Sequence, residues 1–306
     1  MLIINILQEK IHNFLTYKKS LLPYVIRNFF YNFLYPKNFY YYFKFFKFND
    51  TIKKNGYTLL PDLNLSAYQI KSFLEEIRLQ SAKEIPAKES TERLKIIYPE
   101  SILINLPFIQ DIASSFCITN LAKQYFGCDP KLAFVRCWAT NNNSDDNSGE
   151  LYYHMDHHGH RCLKLFFYLT DVFKGDGEHE ILISFTDSNY SKIVNSIFNN
   201  ERLKKDLLLK RVLKGSFLLK TELVHMSLKD KVLSIYGLAG TCFIGDTYTM
   251  HRGTPITSDK QRIILQLLYV PYVLRKDKRK DIIISNKTHL NPSFVQIANE
   301  SYSFET

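Results

Sequence analysis

The apolar positions of this chain fall into two patterns. From about residue 130 onward they gather in runs of strand length. These are Ala133-Phe134-Val135-Arg136-Cys137-Trp138, Leu163-Lys164-Leu165-Phe166-Phe167-Tyr168-Leu169-Thr170-Asp171-Val172, a stretch from Gly237 through Thr241-Cys242-Phe243-Ile244-Gly245-Asp246, and Arg262-Ile263-Ile264-Leu265-Gln266-Leu267-Leu268-Tyr269-Val270. The second run is apolar on both faces, as expected of a strand inside a sandwich or barrel. Gly175-Asp176-Gly177 supplies a sharp turn behind it. Upstream the spacing is helical. Ser66-Ala67-Tyr68-Gln69 forms a capping box, and Ile70, Phe73, Leu74 and Ile77 then fall on one helix face. A second helix is predicted from about Asp111 to Phe126, stopped by Gly127. A lysine- and leucine-rich segment, 199–214, predicts a surface helix. The helices are expected to buttress the sheets.

Between the strand runs lie residues with a specific chemistry. In Tyr152-Tyr153-His154-Met155-Asp156 an extended backbone puts residues i and i+2 on one side, so His154 and Asp156 can reach one metal ion while Met155 points away. A second histidine, His251, follows a strand and a turn, and Arg262 comes eleven residues later at the start of the last run. Two histidines and one carboxylate on one face of iron(II) leave positions open for a chelating cosubstrate and dioxygen. A guanidinium is built for two-point recognition of a carboxylate and stays charged at any relevant pH.

The order of these motifs resembles the phytanoyl-CoA dioxygenase family of iron(II)- and 2-oxoglutarate-dependent oxygenases. The resemblance rests on His154-x-Asp156, the Leu163–Val172 run, Gly237-x-Ala239-Gly240-Thr241, Asp246 before His251-Arg252-Gly253, and Arg262. More faintly, it reaches Asn55-Gly56-Tyr57-Thr58-Leu59-Leu60-Pro61, and it spans roughly residues 50 to 275. It implies a mainly β fold with flanking helices, built on a double-stranded β-helix, a cupin-like jelly roll whose inward side chains line a cavity. It also implies that His154, Asp156 and His251 bind Fe(II), and that Arg262 pairs with the far carboxylate of 2-oxoglutarate. With O2 as the other cosubstrate, the implied reaction is hydroxylation of a small-molecule or lipid-like substrate with release of succinate and CO2. Halogenating relatives replace the carboxylate ligand with a small residue, whereas Asp156 is present here. Where relatives carry a hydroxyl residue two positions after the distal histidine, this chain has Gly253, with Thr254 next as the substitute contact to the cosubstrate. Ile183-Ser184-Phe185 stands where relatives commonly show Gly-Ser-His.

Other groups compete for these roles. Lys164 is either an inward-facing cosubstrate contact or a lysine that snorkels to the rim. His157, His158 and His160 crowd the ligand loop and are read as solvent-facing or outer groups, and His179 as lining the pocket mouth. His225 and His12 are read as structural or exposed, and Trp138 as core. Asp246 is expected to brace the turn that presents His251 through bonds to nearby backbone.

Composition adds the setting. At 306 residues, without internal repeats or a Pro/Gly/Ser linker, the chain reads as one oxygenase domain, 49–306, behind an extension, 1–48. Five irregularly spaced cysteines without Cys-x-x-Cys argue against a disulfide framework or zinc site and for a reducing, cytoplasmic setting. Positions 29 to 48 hold thirteen aromatics among Lys37, Lys44 and Lys47. No stretch reaches the ~18 uncharged apolar residues of a spanning helix. Two readings stand for this segment, a helical layer against the barrel and an interfacial element in peripheral contact with a membrane. No nucleic-acid partner is expected. The net charge of +10 favours an anionic substrate or surface. Two alternatives to the oxygenase are a cupin-like metalloenzyme that does not use 2-oxoglutarate and a catalytically silent, membrane-associated binding protein of the same fold.

Overall fold

A computed structural model describes residues 52, 55–81, 89–90, 95–141, 151–156, 158, 162–183, 218–219, 229–247, 249–271, 273, 278–285 and 290–305. The aromatic extension, the 199–214 segment, the Ile183-Ser184-Phe185 motif beyond Ile183, and His12, His157, His160 and His225 lie outside these residues.

Two antiparallel sheets face each other. The larger contains β1 (Tyr57–Leu59), β2 (Glu89–Ser90), β3 (Lys95–Ile97), β4 (Lys131–Thr140), β6 (Leu163–Tyr168), β10 (Cys242–Asp246) and β12 (Arg262–Val270), in the order β1-β10-β6-β12-β4-β3-β2. The smaller contains β5 (Tyr153–His154), β7 (His179–Leu182), β8 (Leu218–Leu219), β9 (Val232–Ile235) and β11 (His251–Gly253), in the order β8-β5-β11-β7-β9. The chain crosses repeatedly between the sheets, as a jelly roll requires. A separate pair, β13 (Arg279–Ile284) and β14 (Tyr302–Phe304), closes the C-terminal part.

The runs that are apolar on both faces have a direct explanation. In β6, Leu163, Leu165 and Phe167 enter the core beneath the helices, while Phe166 and Tyr168 enter a second core between the sheets. In β12, Ile263, Leu265, Leu267 and Tyr269 likewise face the helices, and Ile264 faces the inter-sheet core. Trp138 packs at the edge of that inner core. The covering helices are α1 (Ala67–Ser81), α2 (Glu100–Leu103), α3 (Pro107–Ser114), α4 (Phe116–Phe126) and α5 (Pro292–Ala298). The Ser66 capping box forms as expected, with Ser66 N–H donating to Gln69 Oε1 at 2.9 Å and Gln69 N–H to Ser66 Oγ at 3.3 Å. Ile70, Phe73 and Ile77 are buried.

The single helix expected from Asp111 to Phe126 is two. Pro107 opens the first, the chain leaves helical geometry at Ser115 (ψ 138°), and the second runs to Gly127, whose φ of 75° caps it. Apolar periodicity carries across this break, which is why spacing alone joined them. Among the described residues no helix is long and apolar enough to cross a membrane.

Gly240 is the turn that the Gly-x-Ala-Gly-Thr motif requires. Its φ is +99°, and a Cβ there would press into the backbone carbonyl of Leu65, whose N–H donates to Gly240 O at 3.0 Å. Gly240→Ala is expected to lower the unfolding free energy by about 1–3 kcal/mol. A urea denaturation midpoint equal to that of wild type would refute this account.

Candidate metal centre

The smaller sheet brings the distant histidines together. His251 of β11 pairs directly with His154 of β5, so their side chains share the inner face, with ring centroids 4.5 Å apart. Asp156 lies two residues past His154, and its backbone N–H donates to Thr247 O at 2.8 Å, joining it to the turn before His251. One ligand atom from each of His154, Asp156 and His251 falls within 4.8 Å of the others.

Both imidazoles are oriented from behind. His154 Nδ1 lies 2.8 Å from Tyr152 O, and His251 Nδ1 lies 2.9 Å from Thr249 O. A carbonyl only accepts, so each Nδ1 carries a proton and each Nε2 is the nitrogen that faces the cavity. Burial, then the charge of His251, lowers the pKa of His154 to about 4. Burial alone would raise that of Asp156, but Lys164, His251 and His154 outweigh it and hold the carboxyl well below its ordinary range. Lys164 Nζ stands 2.5 Å from Asp156 Oδ2, and His251 Nε2 stands 3.3 Å from it. A neutral His154, an ionised carboxylate and a tautomer-fixed His251 form a donor set that fits a first-row divalent ion such as iron(II).

Lys164 points into the barrel rather than to the rim, and it is 6 % exposed. Arg262 opens β12. Its Nη1 donates to the Gly177 carbonyl, and its guanidinium packs on two bare backbones. A Cβ on Gly177 would lie 3.3 Å from Nη1, and one on Gly253 3.2 Å. The glycine turn 175–177 and Gly253 thus form the floor on which the guanidinium rests. The Thr254 hydroxyl is turned to Glu178, donating to Oε2 at 2.7 Å, and the same oxygen accepts from Gly175 N–H at 3.0 Å.

His158 sets its ring edge-on to Phe134 at 5.3 Å. His179 does not line a mouth. It is buried, with its ring 5.0 Å from Phe166 and 5.3 Å from His251. Asp246 is also tied to a helix outside its turn. Its carboxylate accepts from the Tyr125 hydroxyl of α4 at 2.6 Å, and the turn is closed by Thr249 N–H donating to Asp246 O.

Behind these candidate ligands, on the opposite face of the same sheet, lies a polar cluster that sequence reasoning missed. Glu180 Oε2 accepts from Tyr153 Oη at 2.6 Å and from Arg252 Nε at 2.7 Å, and the Arg252 guanidinium sits 4.9 Å above the Tyr153 ring. All three residues are buried. Burial, with the charge of Glu180, pushes the Tyr153 hydroxyl well above its usual pKa. Tyr153, Arg252 and Glu180 are the chain neighbours of His154, His251 and His179, so strand alternation places them together.

No protein-family model matches the sequence, and no curated protein matches it. Solved structures similar to this one include HygX from Streptomyces hygroscopicus with nickel and 2-oxoglutarate bound (13 % identity, 74 % of this chain and 87 % of that one, TM-score 0.49). Others are the non-haem α-ketoglutarate-dependent epimerase SnoN (14 %, 72 % and 80 %, 0.46) and carbocyclase SnoK (14 %, 72 % and 81 %, 0.44), both from nogalamycin biosynthesis. On its own architecture the chain is a jelly roll carrying a two-histidine, one-carboxylate cluster between its sheets.

Proposed function

We propose that the protein is an iron(II)- and 2-oxoglutarate-dependent dioxygenase that hydroxylates a small-molecule substrate. The observation that carries this reading is the convergence of His154, Asp156 and His251 within 4.8 Å of one another, inside a barrel whose β12 begins with Arg262. Bound Fe(II), 2-oxoglutarate and O2 would supply oxidative decarboxylation to succinate and CO2 coupled to oxygen insertion into a C–H bond. His154, Asp156 and His251 hold the metal. Arg262 receives the far carboxylate of 2-oxoglutarate. Lys164 keeps Asp156 ionised and aimed. Thr254, through Glu178, steadies the turn that carries Gly177 beneath Arg262. The motif order resembles the phytanoyl-CoA dioxygenase family, and the excess of basic residues supports an anionic substrate. Five free cysteines, four of them buried, support a reducing, cytoplasmic setting.

The test is an anaerobic titration of purified protein with iron(II) and 2-oxoglutarate, following the visible charge-transfer band of the chelate. A saturable band is expected. Arg262→Ala should weaken 2-oxoglutarate binding at least about thirtyfold, the scale of losing a charge-assisted two-point contact, with iron affinity unchanged. No band in folded, iron-loaded protein overturns the reading. A band of equal affinity in Arg262→Ala removes the arginine from the site and favours metal chemistry without 2-oxoglutarate.

A further inference from the structure

The inner face of the smaller sheet can be read row by row. His251 pairs with Ile181, and one step along the strands Gly253 pairs with His179. Directly opposed residues share a face, so His179 stands inward beside Gly253, one step from the ligand His251. Gly253 carries no side chain, and its missing Cβ points at the Arg262 guanidinium. Gly177, in the turn just before His179, faces that guanidinium too. His179 is therefore the side chain between the metal ligands and the arginine.

Its ring is held by aromatic neighbours. His179 is 7 % exposed, with its ring 5.0 Å from Phe166, 5.5 Å from Phe243 and stacked on His251 at 5.3 Å. Its backbone N–H donates to the Tyr168 hydroxyl at 3.0 Å, but neither ring nitrogen has a hydrogen-bond partner among the described residues. A neutral imidazole offers one N–H and one lone pair. With Arg262 and Lys164 nearby, the complementary ligand atom is an anionic oxygen.

We propose that His179 is a second protein contact of the cosubstrate's far carboxylate, donating a ring N–H on the inner face between His251 and the Arg262 guanidinium. The proposal rests on the 2-oxoglutarate reading above. It makes His179 a binding residue that helps select a dicarboxylic 2-oxo acid, and it gives this histidine a role that core packing alone would not.

The experiment compares wild type, His179→Phe and His179→Gln by anaerobic titration of iron(II)-loaded protein with 2-oxoglutarate. Phenylalanine keeps an aromatic ring against Phe166 and Phe243 but has no donor, whereas glutamine restores a donor without the ring. The Phe variant should bind iron normally and 2-oxoglutarate roughly tenfold more weakly, as for one lost hydrogen bond to a charged acceptor. Its band should keep its wavelength, because the chelating end is untouched. The Gln variant should recover most of the affinity. Wild-type affinity in the Phe variant overturns the proposal, and so does a shifted band. Equal losses in both variants assign His179 to packing and overturn it as well. Absence of a band in wild type itself overturns the underlying reading instead.

Discussion

Asp156→Ala is expected to abolish iron-dependent succinate formation and to lower iron(II) affinity by at least about 100-fold, beyond the 10–100-fold typical of losing an outer partner of a ligand. The ligand atoms of His154, Asp156 and His251 span no more than 4.8 Å, and only one of the three is an anion. Without it, two neutral imidazoles remain to hold a divalent ion, with the Lys164 ammonium, now deprived of its 2.5 Å partner, left in the same buried space. That charge repels the metal it formerly helped to orient a ligand for. Asp156→Asn separates the two effects, since it preserves shape and removes only the charge. It should also fail to support turnover, and it should retain less iron than wild type by equilibrium dialysis. Iron binding at wild-type strength in the alanine variant would remove Asp156 from the ligand set.

The parts of this site that depend on local geometry were legible in the sequence. His154 and Asp156 are two apart in extended chain, and that spacing is local information. Arg262 opens β12, whose observed bounds, Arg262–Val270, match the apolar run because a doubly buried strand has no polar face to blur its ends. The expectation of a mainly β jelly roll with flanking helices rests instead on the resemblance of the motif order to an oxygenase family, and the two facing sheets bear it out. What could not be read depends on pairing between distant strands. His179 faces inward beside Gly253 only because β7 lies against β11 in one register, and a one-residue slip would turn it outward. The hydrogen bond that Asp246 accepts from Tyr125, 121 positions away, is equally out of reach of local spacing. The break at Ser115 was hidden for the opposite reason: the apolar period continues on both sides of it, and only ψ changes.

That register has a physical keeper, and its removal is the largest stability effect expected. Glu180→Ala should destabilise the protein by about 3–5 kcal/mol, the range for breaking one partner out of a buried ion pair. Arg252, 3 % exposed, loses its 2.7 Å carboxylate partner while remaining in the interior, and the Tyr153 hydroxyl loses its acceptor at 2.6 Å. These three residues sit on β5, β11 and β7, immediately next to His154, His251 and His179. One carboxylate thus fixes how three strands lie side by side, and on the other face of the same strands the two histidines proposed as ligands meet. The loss should therefore appear twice, as a lower denaturation midpoint and as weaker iron binding in protein still folded at low temperature. Glu180→Gln distinguishes the electrostatic part, because it can still accept from Tyr153 but leaves the Arg252 charge uncompensated. It should fall between wild type and the alanine variant in stability. Full stability in Glu180→Ala would show that the strands hold their register without the cluster, and unaltered iron affinity in a destabilised variant would confine its role to the fold.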